Sequence, residues 1–210
     1  MENSLENNMY DILFESSNEN NNNLFILDWD DTILPTYWIN VNENENKCIN
    51  IFDYDDKIIK LINFIENFGN VIIITNSSSS WINNTSKKYL PKTHNKFKNM
   101  KIISARDNYQ EIYPYNVMEW KNNTFKDYLS DYENIYSQII SIGDGIFERN
   151  ALFNLKEENK LLLKNIKLIE KPSFSELSTE IDIILKILEN IINSNNNIDL
   201  NINKNDIKQY

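Results

Sequence analysis

Residues 24–35 read LFILDWDDTILP, and the reading of the fold turns on the break in the middle of that stretch. Positions 24–27 form an unbroken apolar run that is too short for a helix, which predicts a buried strand. Asp28, Asp30 and Asp31 then follow within four positions. Carboxylates gathered at a strand end repel one another, and a metal cation or a reaction usually has to compensate.

Working outward, apolar segments of strand and helix period alternate along the chain. The span 53–68 predicts an amphipathic helix with Ile58, Leu61, Ile62, Ile65 and Phe68 on one face and Gly69 as its stop. Residues 71–74 predict a second buried strand ending in Thr75 and Asn76. Ser77 to Ser80 offer caps for a helix over about 79–89. Further strands are expected at 100–105, 138–142 and 164–169, and further helices near 119–129, 146–155 and 176–192. The span 32–50 reads as irregular and polar. This order implies an α/β protein, a three-layer sandwich with a mainly parallel five-stranded sheet and helices on both faces. Function in such sheets gathers at the carboxyl ends of the strands. Those ends carry Asp28, Asp30 and Asp31; Thr75 and Asn76; Ser104, Arg106 and Asp107; and Asp144 with Glu148.

Composition sets bounds on this picture. The 210 residues suit one domain with tails, and 41% hydrophobic content suffices for a core. Of 38 asparagines, many fall in tracts at 17–23 and 193–203. The expected organisation is therefore a flexible segment over 1–22, a folded domain over 23–192 and an Asn-rich tail over 193–210. A net charge of −10 disfavours a nucleic-acid backbone as partner. The exception is KKYLPKTHNKFKNMK at 87–101, with six lysines and no acid. Its loop falls at the amino ends of the strands, which favours a solvated surface over a docking patch. One cysteine, Cys48, allows no intrachain disulfide and no Cys-rich zinc site. With a polar N-terminus and no long apolar run, the expectation is a reducing cytoplasmic setting, with the nucleus open and no membrane contact.

The strand-end residues suggest a chemistry. Asp28 and Asp144, on strands that could be neighbours, could hold one hard cation such as Mg2+. Asp28 could then attack phosphorus and form an aspartyl-phosphate. Asp30, two residues on, could protonate the leaving group and later activate water. Thr75 could hold a phosphoryl oxygen, and a lysine is wanted to balance the charge.

Taken together, DWDDT after an apolar strand, a strand ending in Thr75, a lysine near the start of the helix before the fourth strand, and GDGIFE resemble the haloacid dehalogenase (HAD) superfamily over about residues 24–170. More narrowly, DWDDTILPTYW, ITNSSSSW, ISARDNYQ, EWK and SIGDGIFER resemble a group of protist HAD-like proteins. The resemblance implies a HAD-like Rossmannoid fold with Asp28 as nucleophile and Asp30 as acid/base. Both would also touch Mg2+, Asp30 through its backbone carbonyl. Asp144 and Glu148 would supply further metal carboxylates, although the family more often has Asp at the last position. Lys121 matches the motif lysine, with Lys126 one turn on as its competitor. The gaps at about 33–52 and 107–118 are too short for a cap domain, so the resemblance implies an open site. A phosphorylated substrate is expected, of large size or a phosphoprotein. The alternatives are a catalytically silent binding or scaffold protein and a phosphotransferase.

Other residues carry weaker expectations. Asp31 reads as solvated or capping and Thr32 as structural in the turn. Asn76 is split between substrate contact and capping, and Arg106 between a substrate anion and a surface salt bridge. His94 reads as exposed and Cys48 as partly buried. Trp29 and Trp38 read as packing or as the entrance to the site.

Overall fold

The computed structural model describes residues 22–42, 51–132, 135–155 and 161–210. The expectations for Cys48 and for the segment 1–21 fall outside them. Six strands form one sheet in the order β3-β2-β1-β4-β5-β6: β1 Asn23–Leu27, β2 Asn70–Thr75, β3 Lys101–Ser104, β4 Gln138–Gly143, β5 Leu162–Lys167 and β6 Ile198–Asn201. Every neighbouring pair is parallel. The helices are α1 Thr36–Asn42, α2 Ile51–Glu66, α3 Ser79–Tyr89, α4 Pro91–Lys96, α5 Ala105–Tyr109, α6 Val117–Ser130, α7 Ile146–Phe153, α8 Phe174–Asn193 and α9 Lys204–Gln209.

Strand alternation divides the core in two. Phe25, Leu27, Ile73, Ile140 and Ile142 pack one face against Ile58, Leu61, Ile62 and Ile65 of α2 and Ile181, Ile184 and Leu188 of α8. Leu24, Ile26, Ile72, Ile74 and Ile139 pack the other face against Trp120 and Phe125 of α6 and Ala151 and Leu152 of α7. Neighbouring residues of one strand thus feed opposite layers, as the two-residue period of a strand requires. The turn from α2 to β2 is tight. A Cβ on Gly69 would lie 2.2 Å from the carbonyl oxygen of Asn23, so only glycine lets β2 start flush against β1.

Several expectations need correction. The sheet has six strands rather than five, because the Asn-rich stretch read as a tail supplies β6, paired with β5 from Lys164↔Ile198 to Lys167↔Asn201. Its side chains alternate between half-buried and exposed, which is too weak an apolar signal to reveal a strand. The span read as irregular contains α1, and the lysine-rich stretch contains α4 rather than a loop. Buried Asp55 accepts the backbone N–H groups of Lys92 and Thr93, capping α4 against α2. Lys92 and Lys96 pair with Asp56 and Glu66 of α2 at 2.6 and 2.7 Å. His94 is half-buried rather than exposed and shares a 2.9 Å hydrogen bond with Ser86. Among the described residues no helix is long and apolar enough to cross a membrane.

The last turn of α8 is tied to the sheet by Lys164, which is fully buried in β5. Its Nζ donates to the carbonyl oxygens of Ile191, Ile192 and Ser194 at 2.7, 3.0 and 2.7 Å, and to Gln138. These carbonyls belong to a helix end that has run out of backbone donors. Lys164→Met preserves bulk but removes the donors. The expected loss is about 2 kcal/mol of stability, seen as a lower urea midpoint at an unchanged m-value; a midpoint equal to that of the native chain would refute this role for Lys164.

Candidate functional site

Strand order turns around at β1, with β2 on one side and β4 on the other. The crevice beyond the strand ends at such a reversal is where open α/β sheets bind ligands. Here the backbone N–H of Asp28 bonds Ile142 O at 3.0 Å, and the N–H of Asp144 donates to Thr32 Oγ1 at 3.1 Å. These bonds lock the two acid-bearing loops side by side. Thr32 is thus the turn residue that the sequence suggested, with its hydroxyl buried between the loops.

Asp28, Asp144 and Glu148 place one carboxylate oxygen each within 4.8 Å of one another. Lys121 reaches them from α6, with its Nζ 2.8 Å from Asp28 Oδ1 and paired also with Glu148 Oε1. Only 1% of Lys121 is exposed, so its charge acts in a poorly screened environment. Lys126, its competitor in the sequence, points to solvent. Glu148 fits because two glycines leave room for it. A Cβ on Gly143 would stand 2.6 Å from Glu148 Cγ, and one on Gly145 would stand 2.7 Å from Glu148 Oε2. That Oε2 is buried and has no protein partner.

The electrostatics follow from this crowding. Burial pushes the Asp28 carboxyl above its ordinary range, and Lys121 opposes the rise. Asp144 is pushed up to about 7, first by burial and then by the charges of Asp28 and Asp31. Asp31 is pushed up to about 6, again first by burial. A set of oxygen donors, one of them unpartnered and several repelling one another, fits a hard divalent cation.

The remaining residues expected from the sequence sort into two groups. Thr75, Asn76 and Asp30 line the same cavity of about 510 Å3 as Asp28, Lys121, Asp144 and Glu148. Thr75 Oγ1 accepts the N–H of Ser77 at 3.1 Å, which leaves its own proton to donate. Asn76 is not the cap of α3; Ser78 is, accepting Trp81 N–H, and Asn76 Oδ1 is buried in the cavity wall without a partner. Arg106 lies elsewhere: it is exposed on α5, and its Nε donates to Gln110 at 2.7 Å. Asp31 caps α1, accepting Tyr37 N–H at 2.7 Å from a left-handed backbone, φ 52°. Trp29 and Trp38 pack rather than line the entrance. Trp29 is fully buried and donates to Thr85 Oγ1 at 3.2 Å, and Trp38 lies 5.6 Å from the ring of Phe174.

Asp31 and Gly145 also line the cavity, and sequence reading missed the rest of its wall: Ser77, Val117, Ile146, Phe147, Glu170 and Lys171. Glu170 and Lys171 belong to the β5–α8 loop, which turns through a left-handed Lys171, φ 53°. A buried acid of α8 braces this loop. Glu180 accepts Ile169 N–H at 2.7 Å, while its Oε2 finds no partner. No motif announces such a residue, since it looks like one more polar position on an amphipathic helix. Comparison with known proteins adds no relative: no family model, curated protein or solved structure matches the chain.

Burial pushes the Glu180 carboxyl from 4.5 up to about 8. The folded chain therefore keeps a proton that the unfolded chain has lost, and stability falls as pH rises across that window. Asp31 and Asp144 act in the same sense within narrower windows. The metal-free protein is expected to melt at a lower temperature at about pH 8 than at about pH 5. Glu180→Gln, which cannot ionise, should make that decline shallower; an unchanged slope in melts across this range would show that Glu180 does not contribute.

Proposed function

We propose that the protein is a phosphomonoester hydrolase of the HAD type that works through a phosphorylated Asp28. The observation that carries the reading is the meeting of Asp28, Lys121, Asp144 and Glu148, drawn from three segments distant in sequence, in one cavity at the β1/β4 junction. The Rossmann-like strand order supports it as well.

In this reading Asp28 attacks phosphorus, and the bond to the leaving oxygen breaks as Asp30 gives that oxygen a proton. Water then attacks the aspartyl-phosphate and passes a proton to Asp30, which regenerates Asp28 and releases phosphate. Lys121 offsets the charge shared by nucleophile and phosphoryl group. Thr75, and Asn76 through its amide, offer hydrogen bonds to phosphoryl oxygens. Asp28, Asp144 and Glu148 would hold Mg2+, with the Asp30 carbonyl as the resemblance implies. When bound, the ion would neutralise charge that otherwise keeps an anionic ester away from Asp28.

Among the described residues neither the β1–α2 span nor the β3–α6 span carries a folded cap: they hold the short helices α1 and α5. A cavity with no such cap among the described residues suits a phosphate carried on something large, such as a protein side chain.

Asp28→Asn is expected to remove turnover of a generic aryl phosphate by at least about a thousandfold, since it deletes the nucleophile. Folding should survive, because the amide replaces a buried carboxylate that burial already disfavours. Chelation of divalent ions should likewise silence the native chain. Steady-state rates with and without added Mg2+ provide the check, and undiminished activity in the variant or under chelation would refute the reading.

A further inference from the structure

Donors from three separate elements converge on the carboxylate of Asp30. Thr36 Oγ1, at the start of α1, donates to Oδ1 at 2.6 Å. The indole Nε1 of Trp81, in the first turn of α3, donates to the same oxygen at 2.9 Å. Ser77 Oγ, just beyond β2, makes a short hydrogen bond to Oδ2. Asp28 and Glu148, by contrast, face Lys121, and Asp31 accepts the backbone N–H of Tyr37.

The chemistry of the donors makes the two oxygens of Asp30 unequal. An indole N–H can only donate. Oδ1 faces two donors, one of them unable to reverse, and a proton on that oxygen would weaken its bond to the indole, so a proton carried by Asp30 is favoured on Oδ2. A serine hydroxyl can donate or accept. Ser77 can thus face Oδ2 in either state, donating to the bare oxygen and accepting from the protonated one. Asp30 and Ser77 both line the cavity, whereas Trp81 stands behind them with about a third of its surface exposed.

We propose that Trp81, assisted by Thr36, is a positioning residue that pins Oδ1 of Asp30 so that the transferable proton is carried on Oδ2, beside Ser77 and facing the cavity. The proposal rests on the phosphatase reading and adds to it which oxygen of the acid/base works and what holds it. In the first step the P–O bond to the alcohol breaks while Oδ2–H passes its proton to the departing oxygen, leaving Asp30 as carboxylate. In the second step the attacking water gives that proton back to Oδ2.

The test separates esters by their need for a proton. A nitrophenolate can leave unprotonated, whereas the alkoxide of a phosphoserine peptide cannot. Single-turnover release of each alcohol with enzyme in excess reports the first bond cleavage alone. Trp81→Phe keeps the ring and removes the N–H. It is expected to slow cleavage of the phosphoserine peptide roughly 30-fold, part of the hundredfold or more that a positioned acid supplies. Cleavage of 4-nitrophenyl phosphate should change less than about threefold, with the enzyme concentration for half-maximal rate nearly constant for both. Thr36→Val should repeat the pattern and Thr36→Ser should restore the native ratio, so the test survives if the Trp81 variant folds poorly. Equal losses on both esters, or no loss on either, would overturn the positioning role and leave the phosphatase reading standing. A native chain that cleaves neither ester would remove the phosphatase reading, and this role with it.

Discussion

The buried pairing of Lys121 with Asp28 and Glu148 is the constraint on which the site depends. Removing ionised groups from water costs several kcal/mol each, on the order of the whole stability of a small domain. A lone carboxylate at the end of β1 would simply take up a proton. The lysine keeps the cluster polar, and it does so from a helix anchored on the opposite layer by Trp120 and Phe125. The packing of α6 on the sheet is therefore also what sets the electrostatics of Asp28. The direction of the shifts agrees: burial raises the Asp28 and Asp144 carboxyls, and Lys121 opposes both rises.

Burial is used differently elsewhere in the fold. Lys164 and Glu180 are both fully buried, and neither touches the cavity. Each satisfies backbone groups where an element ends, Lys164 the carbonyls that finish α8 and Glu180 the N–H of Ile169 after β5. The loop that Glu180 braces brings Glu170 and Lys171 to the cavity. Through that loop Glu180 couples the rim of the site to the long helix behind it, and its raised carboxyl makes stability depend on pH.

Much of the architecture was legible because its signals are local. Runs such as 24–27 and 71–74 are apolar on both faces, as only a strand between two helical layers needs to be. The helix start at Ser78 carries its cap in the sequence, whereas the cap at Ser173, three residues before the expected start of the last long helix, went unread. The errors fall where local signals fade. β6 has two half-buried and two exposed residues in an asparagine-rich stretch, and its pairing with β5 is what makes it a strand. The helix α1 begins beside Asp31 and Asp30, whose carboxylates hold Tyr37 N–H and Thr36 Oγ1, partners that composition does not reveal.

The sequence by itself determined the alternation of strands and helices, and with it which residues stand at strand ends: Asp28, Thr75 and Asp144 had nowhere else to go. Tertiary structure alone decided that β1 and β4 are neighbours, that Lys121 rather than Lys126 turns inward, that Arg106 stays outside, and that Trp81 and Thr36 grip Asp30. The physical reason is one of range. Strand and helix periods are written in the nearest few residues, whereas an ion pair or an indole hydrogen bond across fifty positions exists only once the layers have closed.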